Sequence, residues 1–344
     1  MTDTRTPSTQ RPTTLTEVAQ LAGVSLATAS KAINGKGQVA PATRTRVMEA
    51  ADTLSFTPNQ VARNLLLGRT GTVGLMTSDL EGRFMIPILM GAEDAFGAGE
   101  VNVFLCDARG DAIREQHHLR ALLNRRVDGI IVVGDKTNAR RSLGQSLPVP
   151  VVYAYAPSDD PADDSVVPDN IQGGRLAVEH LVSIGRTKIA HISGDPTYAA
   201  AADRAAGVHD GLRAAGLELV GDVASSNWSE HWGRDACAML LSQHPEIDGI
   251  VCASDQLARG AIDTLRELGR RVPEDVAIIG HDNWEILATN SRPELTSIDP
   301  GLQELGRTAA RRIFDAIDGR TSEPEVLRMP MKLIIRGSTI PARR

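Results

Sequence analysis

The sequence predicts a small all-α helix-turn-helix domain joined to a larger α/β core of two lobes with parallel sheets. Three observations carry that fold class. The first is a charge split: residues 1–70 hold eight Lys or Arg against four Asp or Glu, a net +4, so the remainder carries −10 of the chain's −6. The second is a pair of short amphipathic segments around a glycine between residues 14 and 33. The third is a change of pattern at Thr72, where short, nearly continuous apolar runs begin to alternate with helical periodicity.

The first helix starts at Thr14-Leu15-Thr16-Glu17, a capping box in which a hydroxyl and a carboxylate three residues apart satisfy free amides. Leu15, Val18, Ala19 and Ala22 follow at helical spacing, and Gly23 breaks the run. Ser25 can cap a second helix holding Ala29, Ala32 and Ile33. Such a pair reads as a helix-turn-helix whose second helix enters a major groove, or as an ordinary helical hairpin. Pro41 opens a third helix with Val47, Ala50, Ala51 and Leu54 on one stripe; Phe56 is expected to close this small core. Asn59 can cap two further turns with Val61, Ala62, Leu65 and Leu66, too short to stand alone in water. That segment is either a hinge helix ordered by partners or an interdomain linker. Residues 1–13, polar with two prolines, read as a disordered tail.

Strand candidates in the core are residues 73–76, 101–106, 129–133, 149–153, 189–193, 249–252 and 276–280. Helices are expected over 87–96, 114–124, 173–184, 202–215, 231–243 and 256–268. The alternation occurs before and after Pro168, which implies two similar lobes. A helix over 302–319 and a strand-like 331–335 allow the tail to return to both lobes. Several crossings of that kind hinge around a cleft, where ligands bind beyond the carboxyl ends of strands. The expected domains are 14–58 for the helix-turn-helix, 59–69 for the hinge helix and 70–344 for the core. Within the core, one lobe takes about 70–168 and 299–328, the other about 169–298 and 329–344.

Composition narrows the function. Cys106, Cys237 and Cys252 match no metal spacing and read as small buried hydrophobes of a reducing compartment. There is no apolar run of bilayer length and no signal-peptide pattern, so a cytoplasmic protein without a membrane partner is expected. No GxSxG elbow, P-loop or GxGxxG start occurs, and His191, His231 and His281 form no metal motif, so neither an enzyme nor a cofactor is expected.

Taken in order, TLTEVAQLAGVSLATASKAING, VAPATRTRVMEAADTLSFTPNQVARNLLLGRT, VDGIIV, DNIQGGRLAVEHLVSIGRTKIAHISG, DRAAGVHDGLRAAGL, CASDQLARGAI, RVPEDVAIIGHDNWE and RPELTSID span nearly the whole chain. Together they resemble the LacI/GalR family of bacterial transcription regulators. The resemblance implies a homodimeric repressor with a helix-turn-helix, a hinge helix and a periplasmic-binding-protein-like core that holds an effector between its lobes. It also implies a double-stranded, pseudopalindromic operator with a central CpG.

On this resemblance the DNA-binding candidates are Ser25, Leu26, Ala27, Thr28, Lys31, Asn34, Arg44, Asn59, Ala62 and Leu65. Lys31 can donate to guanine, and small apolar side chains can meet a thymine methyl. Leu26 and Ala27 fall on the family's specificity pair, often more polar than here; the alternative for Leu26 is a helix-packing residue. Ser25, Thr28, Arg44 and Asn59 suit phosphate positioning. Leu65 matches the leucine that wedges a base step from the minor groove.

The effector candidates are Phe84, Arg204, Trp228, Ser254, Asp255, Asp282 and Trp284. Arg204 in DRAAG, Asp282 in GHDNWE and Trp228 match ligand-contacting positions of the family. A carboxylate, a guanidinium and an indole suit a sugar, dividing its hydroxyls and covering a ring face. The expected role is control of carbohydrate uptake or breakdown genes. A purine or nucleoside sensor is the first alternative, and a solute-binding protein the second. Arg204 and Asp282 could instead be an internal ion pair, Trp232 or Trp284 core residues, and Phe84 part of a dimer face with the helix from Met85.

Overall fold

Local signals build the N-terminal unit. In the computed structural model, which describes residues 13–33, 37–56, 69–97, 101–320 and 323–340, the chain divides at Arg69/Thr70 into two units. The first holds α1 (Leu15–Leu21), α2 (Leu26–Ile33) and α3 (Pro41–Thr53). The Thr14–Glu17 capping box is formed in both directions, with the Thr14 amide donating to Glu17 Oε2 at 2.6 Å. Gly23, at φ +65°, turns the chain where a side chain would be strained. Ser25 Oγ then accepts from the Thr28 amide at 3.2 Å and starts α2. Val18, Ala29, Ala32, Val47, Ala50 and Ala51 form the core, with Phe56 packed against it. The small side chains keep the three helices close, and the polar faces stay outward.

The second unit contains two six-stranded sheets. The first has the order β11-β5-β4-β3-β1-β2, all parallel. Its strands are β1 (Thr72–Thr77), β2 (Asn102–Asp107), β3 (Gly129–Val133), β4 (Val151–Ala154), β5 (Asp164–Pro168) and β11 (Val326–Met329). Successive residues serve opposite faces, as strand geometry requires. Val73, Leu75, Ile131 and Val133 meet α4 (Met85–Phe96) and α11 (Leu302–Ile317); Met76, Ile130 and Val132 meet α5 (Ala112–Asn124).

The second sheet has the order β12-β10-β9-β8-β6-β7, with only β12 antiparallel. It comprises β6 (Ile189–Ser193), β7 (Ala224–Ser225), β8 (Gly249–Cys252), β9 (Ala277–His281), β10 (Thr296–Asp299) and β12 (Lys332–Ile334). One face is covered by α6 (Asn170–Ser183) and α7 (Ala199–Ala214), the other by α8 (Glu230–Gln243) and α9 (Asp255–Glu267); α10 (Glu285–Ala288) follows β9. The chain passes between the sheets three times: from β5 to α6, from β10 to α11, and from β11 to β12.

Reciprocal glycines set three helix pairs close. A Cβ on Gly207 would lie 2.0 Å from the Ile171 carbonyl oxygen, and one on Gly174 would lie 2.3 Å from that of Arg204. Gly91 with Gly306, and Gly233 with Gly260, do the same for α4–α11 and α8–α9.

Four strands depart from the sequence expectation. Residues 164–168, 224–225, 296–299 and 326–329 were not anticipated as strands; they are short or carry Asp, Ser and Thr, and pairing rather than apolarity defines them. Six core helices also begin one to three residues earlier than periodicity predicts, because a helix starts ahead of its first apolar position; the one at Leu302 begins where expected. Cys237 and Cys252 are buried, whereas Cys106 is only half-buried; all three are free thiols. Among the described residues no helix is long and apolar enough to cross a membrane, and no group of His, Cys, Asp or Glu is arranged to hold a metal ion.

Candidate functional site

Between the two sheets lies a cleft of about 400 Å³. Its wall residues follow the carboxyl ends of parallel strands: Asp79 after β1, Asp135, Lys136 and Thr137 after β3, Tyr155 after β4, Trp228 after β7, Gln256 after β8 and Asp282 after β9. That placement is the crevice position of open α/β sheets. Two of these residues hold left-handed backbone, Tyr155 at φ +72° and Asp282 at φ +97°, which costs conformational energy. The Asp282 amide is fixed by the Ile298 carbonyl at 2.8 Å, so the fold maintains this turn.

Arg204 projects from α7 and is almost wholly buried. Its Nε donates to Asn170 Oδ1 at 2.8 Å, Nη1 donates to the Ala253 carbonyl, and Nη2 stands 3.4 Å from Asp282 Oδ1. The Gly174–Gly207 contact brings α7 close enough for this arrangement. Arg204 and Asp282 therefore form the internal ion pair raised from sequence and also line the cleft, so the two readings coexist.

Arg83, from the loop between β1 and α4, reaches across the cleft. Its Nη2 pairs with Asp282 Oδ2, and its Nη1 donates to Gln256 Oε1 at 3.0 Å. The guanidinium carbon lies 4.7 Å from the Phe84 ring centroid and 4.9 Å from that of Trp284. Phe84 in turn stacks on Tyr155 with centroids 4.9 Å apart. Tyr198 and Trp228 form a second aromatic group, 5.7 Å between centroids, with Lys136 Nζ 5.3 Å from the Tyr198 ring. A further interlobe contact comes from Asn138: its Nδ2 donates to the Thr197 carbonyl at 2.9 Å and its Oδ1 accepts from the Ala199 amide at 3.0 Å.

Four cleft residues carry buried polar atoms without a hydrogen-bond partner among the described residues: Arg83 Nε, Thr137 Oγ1, Trp228 Nε1 and Asp282 Oδ1. Buried polar atoms are normally satisfied, so this concentration marks the cleft walls as suited to a polar ligand.

Of the seven candidate residues, Phe84, Arg204, Trp228, Asp282 and Trp284 line the cleft. Ser254 and Asp255 do not. Ser254 Oγ caps α9 by accepting from the Leu257 amide, and Asp255 is buried behind the wall. Asp255 Oδ2 accepts from the Trp284 amide at 2.6 Å, and Oδ1 accepts from Ser297 Oγ at 2.6 Å. Burial, reinforced by the Asp282 charge, raises its pKa to about 7. Its position is that of a support for Trp284; the neighbouring Gln256 is the one that reaches the cleft. Trp232 is a packing residue, its Nε1 donating to the Ser193 carbonyl at 2.9 Å. Sequence reading missed Arg83, Tyr155, Tyr198, Gln256 and Asn138. The available signal was their place immediately after a strand or beside a candidate already chosen.

In the N-terminal unit, Ser25, Leu26, Ala27 and Lys31 are exposed, and Thr28 and Arg44 half-exposed. Leu26 is 51% exposed, which removes the packing reading for it. Asn34, Asn59, Ala62, Leu65, the rest of the hinge segment up to residue 68 and the expected disordered tail (except Thr13) lie outside the described residues.

A helix-turn-helix unit followed by a two-lobed core with a polar, aromatic-walled cleft defines a class: DNA-binding regulators that carry a ligand-binding domain. Comparison with known proteins makes the class specific. Residues 14–59 match bacterial regulatory proteins of the lacI family, and residues 178–339 match the periplasmic binding protein-like domain. The HTH-type transcriptional regulator CelR of Thermobifida fusca is 34% identical over 338 residues, covering 96% of this chain and 99% of that protein. The HTH-type transcriptional repressor PurR of Aliivibrio salmonicida is 31% identical over 333 residues, 94% and 98% of the two chains. The solved transcriptional regulator CelR–cellobiose complex matches with a TM-score of 0.63 at 33% identity, over 95% of this chain and 100% of that one. The chain belongs to the LacI family, and it is a DNA-binding transcriptional regulator rather than an enzyme.

Proposed function

We propose that this regulator is a homodimeric repressor of carbohydrate uptake or breakdown genes whose operator affinity is set by a neutral saccharide in the interlobe cleft. The observation that carries the reading is the pairing of aromatic rings from both lobes with a mixed set of charges. Phe84 and Tyr155 come from one side, Tyr198, Trp228 and Trp284 from the other. Flat rings cover the apolar faces of a pyranose, while Asp282, Arg204 and Gln256 divide its hydroxyls between acceptors and donors. The walls hold four carboxylates (Asp79, Glu81, Asp135, Asp282) against three cations (Arg83, Lys136, Arg204), a balance that favours a neutral ligand over a phosphorylated one. The relative solved with cellobiose supports the same class.

At the DNA end, Leu26 and Ala27 meet base methyls, Lys31 reads guanine, and Ser25, Thr28 and Arg44 position phosphates. Asn59, Ala62 and Leu65 act in the hinge. The effector alters the balance of lobe arrangements, and the hinge transmits it, so the two sites share a coupling free energy.

A purine effector is the second reading, favoured by the PurR relative and by aromatic rings that would stack a base equally well. A thermal-shift screen of the full chain against mono- and disaccharides and purine bases separates them. A ligand at 100 times its Kd adds about 2.7 kcal/mol of stability, an easily read rise in Tm. A saccharide is expected to give it; stabilisation by a purine alone would overturn the sugar assignment.

A further inference from the structure

We propose that Arg83 is an interlobe clasp that competes with the effector for Asp282. The proposal rests on the cleft being the effector site, and it adds that the protein carries its own occupant for the central carboxylate.

Three features single out Arg83. Its guanidinium leaves its own lobe and pairs with Asp282 and Gln256 of the other, with its carbon 4.7 and 4.9 Å from the Phe84 and Trp284 ring centroids. A cation over two rings and against a carboxylate is held by charge, hydrogen bonding and ring quadrupoles together. Second, the site is a favourable one for electrostatics, since the Asp282 side chain is 3% exposed and that of Arg83 21% exposed. Third, the carboxylate is divided between two cations: Oδ2 pairs with Arg83, while Oδ1 lies 3.4 Å from Arg204 Nη2 and makes no hydrogen bond. A ligand hydroxyl that donates to Asp282 Oδ2 must displace the clasp, so closure without effector and affinity for effector are opposed.

Removing Arg83 does not strand a buried charge, because Asp282 keeps Arg204 at 3.4 Å. Arg83→Ala is therefore the clean variant; Asp282→Asn takes the carboxylate from the buried Arg204 and is read at the lobe contact alone, for which Asn138 supplies the readout. The Ala199 amide lies at the start of α7, where helix amides have no intrahelical partner, and among the described residues it bonds across the cleft to Asn138. Its hydrogen exchange reports contact between the lobes, while an interior α7 amide such as that of Val208 reports integrity of one lobe.

The experiment is hydrogen exchange resolved to single amides, on the full chain with no ligand added, for wild type, R83A, D282N and the double variant. The expected result is about tenfold faster exchange at Ala199 in each single variant, with no further gain in the double and no change at Val208 in R83A. Unchanged exchange at Ala199 in R83A, or singly additive effects in the double, would overturn the clasp. Acceleration at Val208 in R83A would also overturn it, because Arg83 would then be holding the fold rather than the lobes. This outcome is separate from the ligand screen: no stabilisation by any saccharide would sink the sugar reading and leave the exchange result standing.

Discussion

Arg83 and Asp282 lie 199 positions apart in sequence and form an ion pair across the interlobe cleft. Asp282 is thereby shared between a cation of the opposite lobe and Arg204 of its own. Most of what this core is expected to do as a sensor turns on that shared carboxylate and the rings around it.

The two tryptophans nearest in sequence separate binding from stability. Both are partly buried against the same core, but Trp228 alone lines the cleft, so Trp228→Ala is expected to abolish the saccharide-induced rise in Tm. Trp232→Ala removes an indole bonded to the Ser193 carbonyl, and is expected to cost about 3 kcal/mol and to leave that rise in place. Urea unfolding together with thermal shift distinguishes the two; loss of the saccharide-induced rise in Trp232→Ala, or its survival in Trp228→Ala, would contradict the assignment.

Gly207→Ala tests the helix contact that places Arg204. The added methyl would meet a backbone carbonyl at 2.0 Å, which cannot rotate away as a side chain would. A gain of about 1 kcal/mol in helix propensity does not offset separating α6 from α7. The net loss is expected to be about 2 kcal/mol, with weaker ligand binding, measured by chemical denaturation and titration calorimetry.

Asp255 and the buried histidines give stability opposite pH dependences. Asp255 has its pKa raised to about 7, so its contribution is fully present below its unfolded value of about 4 and is lost as pH rises through 7. Burial lowers His191 to about 4 and His281 well below its ordinary value, so theirs are present above about 6.5 and are lost as pH falls. Asn at position 255 can accept from the Trp284 amide and donate to Ser297, keeping the geometry. The stability difference between wild type and Asp255→Asn is expected to shrink as pH rises from about 4 to 7 and to stay level above. Urea midpoints across that range check it; a difference that grows with pH would contradict the burial argument.

At the DNA end, Lys31→Ala is expected to cost about 1–3 kcal/mol of operator affinity and to relax preference at one base pair. Arg44→Ala should weaken all sequences alike and lower the salt dependence by about one phosphate contact. Competition binding against operator variants at two salt concentrations tells them apart.

The N-terminal unit was legible because its signals are local: a capping box, one glycine and a stripe of alanines determine three helices. Alternating sheets and helices were legible for the same reason, since strands buried on both faces read as apolar runs. The cleft lining was legible where the family resemblance supplied positions, as for Arg204, Trp228 and Asp282. Ser254 and Asp255 lie off it because the helix starts one residue earlier than its apolar pattern, with Ser254 as its cap and Asp255 buried, so that Gln256 reaches the cleft. Arg83 was invisible for a different reason. Its partners come from the other lobe, and no spacing within one segment encodes a contact that only the closed cleft creates.

The most direct test of the whole account is operator affinity of the full chain, measured by fluorescence anisotropy with and without the saccharide that raises its Tm, in wild type and in Asp282→Asn. The account predicts a change of about 5–150-fold in wild type and a much smaller one in the variant. Operator affinity that ignores the saccharide in wild type, or responds equally in Asp282→Asn, would contradict it.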